Sequence, residues 1–164
     1  MPTSPPKPRK SSIQAEGQCA CGAIRLEIDV PAVWAWHDHS ERSRRATGCA
    51  YATWVGSWKS RLRLLAGADQ LTRFEDAAAG TARSFCARCG TPVFYERAHA
   101  PKMVNIPRAL FETRTGREPR YHMSIQEMAD WTYRGEPLVP LKGYPGVMWA
   151  RPKRATRREV EGMF

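Results

Sequence analysis

Arg83-Ser84-Phe85-Cys86-Ala87-Arg88-Cys89-Gly90-Thr91-Pro92 is the stretch whose reading decides the fold. Its two thiols sit in a short segment closed by glycine and proline. That reads as a tight knuckle between strands, not as the strand-to-helix start of a thioredoxin-like redox motif. A second pair, Cys19 and Cys21, stands far upstream and is likewise followed by a glycine, Gly22. Two short-spaced pairs can bring four sulfurs around one tetrahedral ion once the intervening chain folds back. Cys19, Cys21, Cys86 and Cys89 are therefore the expected ligands of one structural zinc, whose binding would contribute folding energy. Disulfides and free thiols are the competing readings. No apolar stretch at the N-terminus resembles a signal peptide, so a reducing cytoplasm is the expected compartment, which weighs against disulfides. Cys49, between Gly48 and Ala50, is expected to be a small buried residue and not a ligand.

Outward from the knuckles the chain reads mainly as strands. Gly22 to Val30 alternates apolar with polar residues until Pro31 stops it, the period of a strand with one buried face. Ala50 to Trp58 is rich in aromatic and β-branched residues, and Arg61 to Leu65 alternates again before a turn at Ala66 to Asp69. Leu71 to Glu75 and Pro92 to Glu96 fit strands flanking the second cysteine pair, and Met103 to Ile106 fits another. Little helix is expected before a turn or two at Ser124 to Asp130. Short strands separated by turns predict a mainly β domain. The turn signals at Gly135-Glu136-Pro137 and Gly143-Tyr144-Pro145-Gly146 predict that residues 136–150 wrap over it as an ordered loop, giving one zinc-binding domain over residues 13–150.

The 164 residues are 42% hydrophobic and carry no apolar run long enough to cross a membrane. The net charge of +10 is concentrated at the ends: Lys7, Arg9 and Lys10 in residues 1–12, and five basic against two acidic residues in 151–164, supply more than half of it. The first segment, rich in proline, serine and lysine, reads as a disordered arm, and the second as a basic tail. Such arms can hold nucleic acid or an acidic protein through charge, although solubilising arms are the default reading.

Three runs together carry a resemblance: Gly17-Gln18-Cys19-Ala20-Cys21-Gly22-Ala23-Ile24-Arg25, then Arg44-Arg45-Ala46-Thr47-Gly48, then the Arg83 to Pro92 knuckle. They resemble the domain of glutathione-dependent formaldehyde-activating enzymes, also found in centromere protein V, over roughly residues 13–135. The resemblance implies a β-tent of small coiled antiparallel sheets pinned by the four-cysteine zinc. It also implies a relationship to carbon–sulfur lyases that form S-hydroxymethylglutathione, with glutathione or a similar thiol as partner.

The family carries a second, functional zinc on three cysteines just before the paired arginines. The corresponding positions here are Asp38, Ser40 and Ser43. A hydroxyl stays protonated near neutrality and is a poor zinc ligand, so the soft shell is gone and the family reaction is expected to be weak or absent. His39, at the family's histidine position, is the candidate base, with His37 and Asp38 beside it. On an extended strand His37 and His39 share a face and Asp38 points away, so these three do not converge on a second metal. Arg44 and Arg45, with Arg42, are candidate carboxylate-binding residues. His122 falls where the family has a histidine near its substrate groove. Trp131, further on, is expected as a packed residue at the core edge. A non-catalytic binding module using the basic arms is the alternative function.

Overall fold

The computed structural model describes residues 13–133, 135, 138–143, 145 and 148–150. The expected basic arms at 1–12 and 151–164 lie outside them. The fold is mainly β. In chain order its elements are β1 (Gln14–Gln18), β2 (Arg25–Asp29), β3 (Trp34–Asp38), α1 (Glu41–Thr47), β4 (Ala52–Trp58), β5 (Leu62–Ala66), β6 (Leu71–Asp76), β7 (Thr81–Cys86), β8 (Pro92–Arg97), β9 (Met103–Pro107), β10 (Tyr121–Met123), β11 (Leu138–Pro140) and β12 (Met148–Ala150). The expected turn near residue 125 is a single 3-10 turn, Ile125–Glu127.

Three strands form one sheet in the order β1-β2-β5, and seven form another in the order β10-β3-β4-β9-β8-β7-β6. All pairings in both are antiparallel except β10 on β3, which run parallel with His122 beside His37. Alternation decides the packing. In β1 every second residue is buried, and in β2 Leu26 and Ile28 are buried between more exposed neighbours. These side chains meet Ala35, Val55, Val93, Val104 and Ile106 of the larger sheet in one core, which also takes in Cys19 and Cys86. The opposite face of the larger sheet carries a smaller cluster of Trp36, Ala52 and Trp54 with Tyr95 against it. The larger sheet is therefore two-sided, and residues of even and odd number along β3 belong to different environments.

Contacts divide the chain into two compact units, residues 1–130 and 131–164. The second contains β11 paired antiparallel with β12, a hairpin where turn signals alone predict a wrapping loop. Apolar residues flank those turns on both sides, and such segments pair when the turn between them permits it. Trp131 is 68% exposed, not packed as expected. Among the described residues no helix is long and apolar enough to cross a membrane.

Gly67 ends β5 in the left-handed region at φ +78°, where a Cβ would lie 2.3 Å from the carbonyl oxygen of Ala23. Gly48 has a similar φ of +68° but open space around it. Both Gly→Ala changes incur the conformational cost of about 1–2 kcal/mol. Gly67→Ala must also displace backbone, so chemical denaturation is expected to show it clearly the more damaging. Equal losses would mean that the β5 end does not pass this close to the Ala23 peptide.

Candidate functional site

Two turns of matching geometry present the four thiols. After Cys19 the chain reverses with the Gly22 amide donating to the Cys19 carbonyl at 2.9 Å. After Cys86 the Gly90 amide donates to the Cys86 carbonyl at 2.8 Å. Both glycines sit at φ +72°, a conformation that side chains with a Cβ disfavour, which explains why each pair is followed by glycine. The turns lie between β1 and β2 and between β7 and β8, so the thiols come from the two different sheets. Their sulfurs all lie within 4.8 Å of one another. Cys19 to Cys21 is 3.6 Å and Cys21 to Cys86 is 3.8 Å. A tetrahedral site with metal–sulfur bonds of about 2.3 Å has edges of about 3.8 Å, so the four cysteines could hold one metal ion. Second contacts favour thiolate: the Ile24 amide donates to the Cys19 sulfur at 3.3 Å, and the Thr91 hydroxyl lies 3.1 Å from Cys89. The Thr91 hydroxyl and amide bring the Cys89 thiol down to about 5. Cys21 is pushed up to about 11, its bond from the Ala23 backbone outweighed by Cys89, burial and the other two thiols. Four sulfurs this close cannot all ionise without a cation among them. Cys49 is exposed, contrary to expectation, because Gly48 ends α1 and the chain there runs over the surface.

The stretch where the resemblance places three further thiols is closed on itself. Asp38 ends β3, 8% exposed. Its carboxylate accepts from the Ser43 hydroxyl at 2.7 Å and from the Ser40 amide at 2.9 Å. Ser40 is the N-cap of α1, its hydroxyl accepting from the Ser43 amide at 3.3 Å. Each of the three substituting side chains thus satisfies a backbone group or one of the others. Sequence reasoning expects no helix here, although Ser40 before Glu41 and Gly48 after Thr47 are the start and stop signals of one.

His37 and His39 share a face as expected, opposite Asp38. His122 of β10 closes a three-ring cluster, its centroid 4.8 Å from His37 and 5.2 Å from His39. His39 is 2% exposed and its Nε2 lies 2.9 Å from Nδ1 of His122, which is exposed. His37 Nδ1 bonds the Thr53 hydroxyl at 2.9 Å. Burial first, then the neighbouring imidazoles, holds the pKa of both His37 and His39 below the ordinary histidine value. Among the described residues the cysteine quartet is the group arranged to hold a metal, and this cluster is not. Arg44 donates to the carbonyls of His39 and Glu127, tying α1 to the segment after β10. Arg45 pairs with Glu41 one turn away on the exposed side of the helix. The Arg45 side chain is 80% exposed.

With this geometry in view, comparison with known proteins is decisive at the family level. Residues 14–127 match the profile of the glutathione-dependent formaldehyde-activating enzyme family. The chain belongs to this family. A crystal structure of a Rhodobacter sphaeroides protein is similar, with a TM-score of 0.52 and 26% identity over 60% of this chain and 89% of that one. Comparison with curated proteins finds no match.

A cavity of about 480 Å³ lies on the Asp38 side of the larger sheet, lined in part by Asp38, Arg42, Arg83, Tyr95 and Arg97. Arg83 and Arg97 escape notice when the knuckle is read for its cysteines. Alternation along β7 would have placed Arg83 with Thr81 and Phe85, opposite the buried Ala82, Ser84 and Cys86.

Cys86→Ser is expected to abolish metal binding and cooperative unfolding, whereas Cys49→Ser leaves both intact; metal analysis with circular dichroism melts distinguishes them. The histidine cluster predicts a pH effect of definite sign. Above about 6.5 His37 and His39 are neutral in both folded and unfolded chains and contribute nothing. As pH falls below that value the unfolded chain takes up protons that the folded chain resists, so stability drops. His122→Asn, which removes the neighbour depressing both rings, is expected to show a shallower fall in melting temperature between about pH 6.5 and 5.

Proposed function

We propose that this chain is a zinc-stapled member of its family in which the second, reaction-centre metal site is lost and addition of the glutathione thiol to formaldehyde is weak or absent. The observation that carries the reading is the closed set of bonds among Asp38, Ser40 and Ser43. One carboxylate and two hydroxyls are a hard donor set in place of a soft one. The carboxylate oxygens are both engaged, and the Ser40 hydroxyl is the helix cap. The cysteine quartet, soft and tetrahedrally spaced, suits zinc and would hold it as a closed structural site.

Forming S-hydroxymethylglutathione joins sulfur to the carbonyl carbon and moves the thiol proton to the oxygen. Without a second metal to gather the thiolate, a side-chain base must take that proton, a contribution of about 10²–10⁴-fold when well placed. His39 is buried and hydrogen-bonded to the exposed His122, so we take His122 as the candidate base and His39 as a positioning residue behind it. Both stand on the sheet face opposite the Asp38 cavity, which separates the base from the place where the family's metal chemistry would occur. What supports a residual glutathione-binding role is family membership together with Arg42, Arg83 and Arg97 beside that cavity. Guanidinium forks suit the carboxylates of such a peptide.

Protein purified without added metal is expected to contain one equivalent of zinc per chain. With labelled formaldehyde and glutathione followed by NMR, the adduct is expected to form at the uncatalysed rate. Two equivalents of zinc, or strong acceleration, would overturn the reading.

A further inference from the structure

Arg83 projects from β7, half-buried, and among the described residues it forms no ion pair. Its guanidinium carbon stands 4.3 Å from the centre of the Tyr95 ring, and one terminal nitrogen reaches the Ser43 hydroxyl at 3.5 Å. The acids nearby are committed elsewhere. Asp38 accepts from Ser43 and Ser40, and Asp76 is paired with Arg42. A guanidinium removed from much of its water, with most of its five donors unused, is an incomplete interaction.

Arg83 also lines a second cavity, of about 560 Å³, whose other walls include Trp54, Phe74, Phe85 and Phe94. Cavities of roughly 300–1,000 Å³ are the size that takes small-molecule ligands. Phe74 is 59% exposed although it belongs to a strand, and the indole N–H of Trp54 is buried without a hydrogen-bond partner. The chamber therefore combines exposed aromatic surface with one under-used donor group, the Arg83 guanidinium. That chemistry complements an apolar body ending in an acceptor of negative charge. Arg42 and Arg45 also line the chamber but are paired with Asp76 and Glu41, so Arg83 is the lining guanidinium without an ion pair among the described residues, and with the Asp38 and Asp76 carboxylates close by this favours a planar monoanion over a phosphate dianion.

We propose that this chamber binds an aryl or alkyl monocarboxylate, its apolar body against Trp54, Phe74 and Phe94 and its carboxylate on the Arg83 fork. The site goes beyond the reading of the family reaction and depends neither on the metal count nor on whether thiol addition survives. Phe74 and Phe94 supply the area that distinguishes such ligands from short acids, and Arg83 distinguishes them from neutral analogues of the same shape.

The test is calorimetric titration of the full-length, metal-containing protein with phenylacetate, octanoate, phenylacetamide and acetate. One of the two long carboxylates is expected to bind at a single site, with acetate and the neutral amide at least about tenfold weaker, as loss of a charge-assisted contact implies. Arg83→Met is expected to weaken carboxylate binding about tenfold or more while leaving the amide unchanged. Phe74→Ala, at an exposed position that does not endanger folding, is expected to weaken the long carboxylates but not acetate. The proposal is overturned if neither long carboxylate binds by about 10 mM, if the amide binds equally well, or if the Phe74 variant binds as the parent does.

Discussion

The convergence of four sulfurs from two turns is the constraint on which the rest of the molecule depends. Cys19 and Cys21 sit between strands of the small sheet, and Cys86 and Cys89 between strands of the large one. Whatever holds them together therefore holds the sheets in register. Two of the four, Cys19 and Cys86, are also core residues in contact with the apolar side chains between the sheets. Hydrophobic packing and ligation thus act on the same atoms. Sulfurs this close repel one another as thiolates, so a cation placed among them would be favoured. Binding of an ion there would draw its free energy from a site that the unfolded chain does not possess.

A different logic governs the junction of β3 and α1. Here the side chains satisfy one another directly. Asp38 takes the Ser40 amide and the Ser43 hydroxyl, Ser40 caps the helix, and Arg44 anchors it to carbonyls on both sides of the junction. Charge-assisted and capping hydrogen bonds of this kind contribute about 1 kcal/mol or more each. They do for the local structure what ligation would otherwise do. A junction built this way satisfies its own polar groups.

Much of this was legible in the sequence, and what was not follows a physical pattern. Strands with one buried face announce themselves through a period of two, and β2, β4, β6, β8 and β9 fall close to where alternation puts them. The quartet was legible because its spacing and its glycines are local properties. The missed strands include β3 and β7, of ordinary length, where the residues were read for their histidines and cysteines, besides others that are short or atypical. β10 has three residues and is recognisable only through its partner β3, and β1 carries a buried alanine and a glycine where a strand signal needs larger side chains. The bond from Arg44 to the Glu127 carbonyl was illegible for a similar reason: the partner lies 83 positions away, and no local pattern reports it. Cys49 looked buried because cysteine usually is, yet a helix stop places it at the surface.

The two-sidedness of the large sheet has the widest consequence for chemistry. Successive residues of β3 and its extension face opposite ways, so Trp36 and Asp38 look toward the arginine-lined cavity while His37 and His39 look toward β10. A reaction centre that drew on both His39 and the residue before it would need a bulge to turn one of them round, and the β3–β4 register runs unbroken from Trp34 to Asp38. Sequence proximity in this motif is therefore misleading. Adjacent residues work in separate environments, one a self-satisfied polar junction beside arginines, the other a cluster of imidazoles in which burial and the neighbouring His122 hold the pKa of His37 and His39 down. Chemistry on the Asp38 side must consequently be done by what that side contains, namely guanidinium groups, aromatic rings and engaged carboxylates, and that set is better suited to holding an anion than to moving a proton.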